Sequence, residues 1–292
     1  MNFKKYNFML VFMLALVIAI PIASLSSQTD SSSTEITDEL PPVAEVDPSD
    51  QQTSSKPTNS YKFNTAWQAY SHILNSTLTQ SYISEANQVL KATANIGISM
   101  TFDQNVVCKA YVTKDGKILE ETYSSGTKKF FNTTLYDGEK VYTKTVDGTF
   151  SVGNQPSVTP DIFSKEDYIS ENGILPAYVM RLNSKCFVGI KPMREKEGYY
   201  SFTVNVNDSN LWQDYLKKVE KLSGSEKFPT MNSISMKFVY SSKTGKLVQL
   251  KLTENYNIKY MGLDVNCSST TVKTFSNVGG DVQLPNMSYM GM

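Results

Sequence analysis

The sequence predicts an α+β domain: one large, curled antiparallel sheet of about ten strands, covered by two or three helices. Three observations carry that expectation. The tight-turn pairs Asp115-Gly116, Asp137-Gly138, Asp147-Gly148 and Thr244-Gly245 each separate runs rich in β-branched and aromatic residues, and glycine supplies the positive φ that such hairpin turns need. Apolar and polar residues alternate along those runs. Two further segments repeat their apolar residues at the spacing of a helix.

Taken in order, the first helix spans about Thr65 to Thr77 and aligns Trp67, Tyr70, Leu74 and Leu78 on one stripe. Strands follow over 82–94, 98–113, 117–124, 128–136 and 139–146. Residues 150–183, with Pro156, Pro160 and Pro176, form a long mixed segment with a short helix near 162–170. A strand over 184–191 is expected from the alternation of Cys186, Val188 and Ile190. Over 198–206, Tyr200, Phe202, Val204 and Val206 take one face and Ser201, Thr203, Asn205 and Asn207 the other. The second helix starts at an Asp208 or Ser209 cap, carries Leu211, Tyr215, Val219 and Leu222, and stops at Gly224. Three strands close the domain over 233–242, 246–258 and 262–276. Ile234, Met236, Phe238 and Tyr240 share a face there, as do Val248, Leu250 and Leu252.

Strands with one apolar and one wet face, in such number, curl around more volume than their own side chains readily fill. Either helices plug that concavity or a ligand does.

The 28 basic and 28 acidic residues cancel, which argues against a nucleic-acid partner. The cancellation hides a split. Setting aside Lys4, Lys5 and residues 26–62 leaves 24 basic against 21 acidic residues. Lys4 and Lys5 precede an uncharged run from Phe8 to Leu25, the pattern of a secretion signal. Residues 1–26 are therefore expected to be a signal peptide cleaved after Ser26, or an uncleaved N-terminal membrane anchor. No Cys follows the apolar run before Cys108, so anchoring through a lipidated cysteine is excluded. Residues 27–62 are an acidic Ser/Thr/Pro linker, too poor in large apolar side chains to fold. The domain itself is expected over 63–292.

The chemical inventory is thin. His72 is the sole imidazole, placed on the first helix off its apolar stripe and expected to be solvated; Arg181 and Arg194 are the sole guanidiniums. Cys108, Cys186 and Cys267 have no ligand spacing and sit in alternating runs, which predicts buried free thiols. Glu120-Glu121 and Lys128-Lys129 are strand neighbours and point to opposite faces. No catalytic residue, metal site or cofactor is expected.

The order of elements, with the run ISMKFVYSSKTGKLVQLKLTENY (Ile234 to Tyr256), the run TTVKTFSNVGGDVQLP (Thr270 to Pro285) and the Thr65 to Gln80 opening, resembles the LolA-like lipoprotein-carrier superfamily, including its LppX and LprG group, over about residues 63–285. The resemblance implies a half-open β-barrel with helices across its mouth, an acyl-binding cavity and no enzymatic activity. It supplies no residue-level motif. By pattern, the cavity lining is Trp67, Tyr70 and Leu74 facing Phe202, Met236, Phe238, Leu250 and Leu252. The expected function is an exported, non-catalytic envelope protein that binds or carries a lipid or lipid-linked hydrophobic molecule, with the membrane as a further partner if the leader stays uncleaved. The alternative is a cell-surface interaction or sensor domain on the same scaffold, as in RseB-type regulators.

Overall fold

The computed structural model describes residues 60–95, 99–126, 129–147, 159–190, 194–207, 213–223, 225–260 and 262–288. The leader, nearly all of the linker, the Asp208/Ser209 cap, Gly148 and Gly224 lie outside them. Hairpin turns fall at Asp115-Gly116, Asp137-Gly138 and Thr244-Gly245, joining β2 (Ser99–Val112) to β3 (Ile118–Gly126), β4 (Phe130–Tyr136) to β5 (Lys140–Asp147), and β9 (Thr230–Ser241) to β10 (Leu247–Tyr260). Asp137 closes its turn by accepting the Glu139 and Lys140 N–H groups, each at 2.8 Å, the local bond that makes Asp a turn residue. Those N–H groups, the Lys140 one foremost, hold its carboxyl below the ordinary value.

All eleven described strands belong to one antiparallel sheet that does not close, in the order β6-β5-β4-β3-β2-β1-β11-β10-β9-β8-β7. The remaining strands are β1 (Tyr82–Asn95), β6 (Asp161–Ser164), β7 (Arg194–Lys196), β8 (Tyr199–Val206) and β11 (Leu263–Ser276). Two meanders, β1–β6 and β7–β11, meet along β1 and β11, paired over twelve residues from Ile83↔Ser276 to Ala94↔Val265. The edges, β6 and β7, are four and three residues long, short enough to offer little template for pairing with another chain and too short to show alternation in sequence.

The expected strand over 184–191 is a correction. Asn183 caps a 3-10 turn, Ser184–Phe187, by accepting the Lys185 N–H at 2.9 Å. Val188, which a core-facing strand would bury, is 83 % exposed. A second correction is local: a bulge between Leu247 and Gln249 turns Leu247 into the core in place of Val248. The one-wet-face expectation holds on β8, β10 and β11, and on β9 except at Val239, which is buried opposite Phe238 and Tyr240. It fails on β3 and β4, where Leu119, Phe131 and Leu135 are buried on the face opposite Glu120.

Three α-helices are described: α1 (Ala66–Ile73), α2 (Lys165–Asn172) and α3 (Gln213–Ser223). Thr65 caps α1 by accepting the Gln68 N–H, and the helix widens into a π-turn over Leu74–Leu78. Its buried face is Ala66, Ala69, Tyr70, Ile73 and Thr77; the stripe read from the bulkiest residues is off by one position. At the end of α2, Gly173 has φ +86, and a Cβ there would lie 2.8 Å from the Lys218 Cα, so only glycine lets α2 abut α3.

Candidate functional site

Antiparallel register lines side chains up in rows across the face that the helices cover. One row runs Phe202, Phe238, Leu250, Lys273, Ala86, Cys108 from β8 to β2. The next runs Val204, Met236, Leu252, Thr271, Gln88, Val106, and a third Val206, Ile234, Glu254, Ser269, Leu90, Gln104. In each row the character changes from apolar to polar near β10 and β11.

A cavity lies at that boundary. Its floor is Met236, Leu250, Leu252, Glu254, Thr271 and Lys273; Tyr215 of α3 and Tyr178, Val179 and Met180 roof it. The interior accepts centres of water-sized spheres over about 40 Å³, room for a few waters or a small polar group.

The roof belongs to residues 173–190, which link α2 to the 3-10 turn and add no strand to the sheet. Hydrogen bonds to the Glu120, Tyr82 and Tyr70 side chains tie it down. The Ala177 N–H donates to the Glu120 carboxylate, the Tyr82 hydroxyl donates to the Ala177 carbonyl at 3.4 Å, and the Leu182 N–H donates to the Tyr70 hydroxyl at 2.9 Å. Ala177 holds φ +56, a left-handed conformation that costs a non-glycine residue roughly 1–2 kcal/mol. Phe187 anchors the far end, its ring 5.2 Å from those of Trp67 and Tyr70 and 6.4 Å from Phe202.

Of the eight side chains expected to line a cavity, the structure gathers Met236, Leu250 and Leu252 around it. Tyr70, Phe202 and Phe238 stand beside it in a packed aromatic cluster, with Phe202 stacked on Phe238 at 5.0 Å and Tyr70 edge-on to Phe238 at 5.5 Å. Phe187 fills the space between them and α1. Trp67 is 38 % exposed and Leu74 half-buried, a consequence of the one-position rotation of the helix stripe.

The missed residues are polar. Glu254 is 4 % exposed, accepts a hydrogen bond from the Tyr215 hydroxyl, and burial pushes its carboxyl up to about 8. That shift favours its protonated form at pH 7. Burial also raises Glu120, against the opposing pull of the Ala177 N–H, Lys218 and Lys273. Lys273 is 5 % exposed, its Nζ makes no hydrogen bond, and burial lowers its pKa while Cys108 and Glu120 act in the opposite sense. The Ser84 Oγ and Gln88 Oε1 nearby are buried without a partner too. Lys218 is buried with its ammonium 5.1 Å from the centre of the Tyr178 ring. Period-two alternation does mark these sites: Glu254 shares parity with Leu250, Leu252, Tyr256 and Ile258, and Lys273 with Val265, Cys267 and Phe275. A charge in an otherwise core-facing series is the signal.

His72 departs from its expected solvated setting. Its ring packs between Tyr61 and Phe63, at 5.2 and 5.0 Å, with Nε2 buried and unpartnered, and burial lowers its pKa. The Thr244-Gly245 turn presses on it: a Cβ on Gly245 would lie 2.5 Å from Nε2. All three cysteines are free and buried, as read from the sequence. Burial pushes the Cys108 thiol well up and that of Cys267 to about 12. Among the described residues, no three His, Cys, Asp or Glu side chains gather as a metal site, and no helix is long and apolar enough to cross a membrane.

No protein-family model matches the chain, and no curated protein matches it significantly in sequence. Among solved structures it is similar to a LolA superfamily protein from Nitrosomonas europaea, at 9% identity over 76% of this chain and 95% of that one, with a TM-score of 0.23. It is similar also to the protein Rv2717c from M. tuberculosis, at 7% identity over 70% and 95% with a TM-score of 0.20. A DUF1329 family protein from Desulfovibrio piger matches at 10% identity over 78% and 98%, with a TM-score of 0.26.

Proposed function

We propose that this chain is an exported, non-catalytic envelope protein that holds a lipid or lipid-linked hydrophobic molecule in the trough of its open sheet, beneath residues 173–190. The cavity under an irregular roof is the observation that carries it. Small-molecule sites occupy roughly 300–1,000 Å³, far more than the closed form holds, so binding requires the roof to lift. That segment is irregular in backbone, carries a left-handed Ala177 and buries Met180, Leu182 and Cys186, so its lifting is a local opening of the fold rather than the movement of a loose loop. Lifting it uncovers Met236, Leu250 and Leu252 as one apolar strip and leaves the sheet intact. The leader, with its basic start and apolar run, supports export and a membrane setting.

Native mass spectrometry of protein purified from its host without detergent provides the test. A bound lipid mass is expected. Protein that is uniformly empty, and stays empty on incubation with host lipid extract, refutes the carrier role.

A further inference from the structure

Lys273 is the least explained group in the molecule. A buried ammonium without a hydrogen-bonded partner is costly, and this one stands on the cavity floor in the row where Leu250 gives way to Ala86. Glu120, the nearest candidate counter-ion on β3, already takes the Ala177 N–H. Glu254, on the same floor, is engaged by Tyr215. Lys273 from β11, Glu254 from β10 and Tyr215 from α3 line the chamber; Glu120 from β3 and Cys108 from β2 act on Lys273 from outside its lining, and Lys218 from α3 acts on Glu120. Ser84 and Gln88, one row to either side of Ala86, add two buried polar atoms without partners. Toward β9, in contrast, the floor is Leu252 and Met236, with Met180 above.

We propose that Lys273 anchors the compact anionic head of an aliphatic amphiphile, a carboxylate or a phosphate monoester, whose tail runs over Leu252, Met236 and Met180. This assignment rests on the carrier reading and adds the ligand's polarity to it. The head takes the acceptor role that Nζ lacks, and the Ser84 hydroxyl stands ready as a second donor. The closed cavity has volume for the head alone. The tail takes the space that Tyr178 and Val179 vacate when the roof lifts.

The test is calorimetric titration of the full chain, purified from its host and delipidated, with dodecanoate, dodecyl phosphate, dodecanol and dodecyltrimethylammonium. Both anions are expected to bind at least about tenfold more tightly than dodecanol, the scale of one charge-assisted hydrogen bond, and the cation to bind most weakly. Lys273→Met, which replaces the ammonium with an apolar side chain of similar length, is expected to erase the preference and leave dodecanol affinity within about twofold. Lys273→Arg is expected to keep the preference. Circular dichroism confirms that each variant is folded. A stronger response to dodecyl phosphate identifies a lipid phosphate as the source, and a stronger response to dodecanoate a free fatty acid; either order supports the anchor. Equal affinity for acid and alcohol, or a preference that persists in Lys273→Met, overturns the anchor and leaves the carrier reading standing. Failure of all four to bind overturns both.

Discussion

On β8, β9 and β10 the covered face of the sheet is aromatic and aliphatic apart from Glu254: Tyr200, Phe202, Phe238 and Tyr240 pack ring on ring near Phe187. On β1, β2 and β3 the same face carries Ser84, Gln88, Gln104, Glu120, Thr122 and Ser124, and the Ser84 Oγ and Gln88 Oε1 among them are left without partners. The two halves share one sheet, one register and one set of covering elements. They therefore separate two roles that a single core usually merges: the C-terminal meander supplies the burial that stabilises the fold, and the N-terminal meander with β11 supplies polarity that stability does not require. The cavity sits on the seam.

That division can be broken first where it should be strongest. Phe238→Ala removes a fully buried ring that contacts Phe202 and Tyr70, and a loss of about 3–5 kcal/mol in urea unfolding is expected; a loss below 1 kcal/mol would place the stabilising core elsewhere. Next, Tyr70→Phe deletes the acceptor of the Leu182 N–H. A cost of about 1–3 kcal/mol is expected, with faster hydrogen exchange concentrated in residues 173–190. Exchange that rises evenly over the whole sheet instead would show that the roof does not open as a unit.

Glu254 gives an intermediate effect with a definite sign. Its folded pKa of about 8 lies above the ordinary 4.5, so its protonated form contributes stability that is fully present below about 4.5 and is lost as pH rises toward 8. The slope reaches at most about 1.4 kcal/mol per pH unit. Glu254→Gln, which keeps a hydrogen-bonding partner for Tyr215, should flatten the wild-type decline between pH 5 and 8, and identical slopes in the two proteins would show that Glu254 stays ionised. The smallest effect belongs to the polar half. Ser84→Ala removes a buried hydroxyl without a partner, and a change within about 0.5 kcal/mol of zero is expected; a loss above 1 kcal/mol would mean the hydroxyl has a partner after all.

Much of this organisation was legible beforehand, and the reason differs by element. Long strands announce themselves because alternation repeats many times: the faces of β8 and β9 follow directly from Tyr200 to Val206 and Ile234 to Tyr240. The turns at Gly116, Gly138 and Gly245 are equally plain, because a positive φ narrows the choice of residue. Segments with few repeats misled. Cys186, Val188 and Ile190 offer only three alternating positions, and an Asn183 cap converts them into a 3-10 turn. In α1 the bulky Trp67 and Leu74 outweighed Ala66 and Ala69 in the pattern, although close packing favours the small side chains against the sheet. Of the expected lining, Met236, Leu250 and Leu252 reach the cavity, whereas Trp67, Tyr70, Leu74, Phe202 and Phe238 do not. Which residues fill a concavity and which line it depends on what covers them, and here Phe187 comes from a segment misread as a strand.

The sequence by itself determined the strand faces, the hairpins, the buried free thiols and the poverty of histidine and arginine, because each depends on residues near one another along the chain. Tertiary structure alone decided the pairing of β1 with β11, the roof over the cavity and the meeting of Lys273, Glu120, Lys218 and Glu254. Those groups come from four elements separated by up to 153 positions in the chain. Lys273 and Lys218 act on Glu120 only because the fold brings β11, α3 and β3 together, and burial shifts Glu120, Lys273 and Glu254 alike away from their ordinary values.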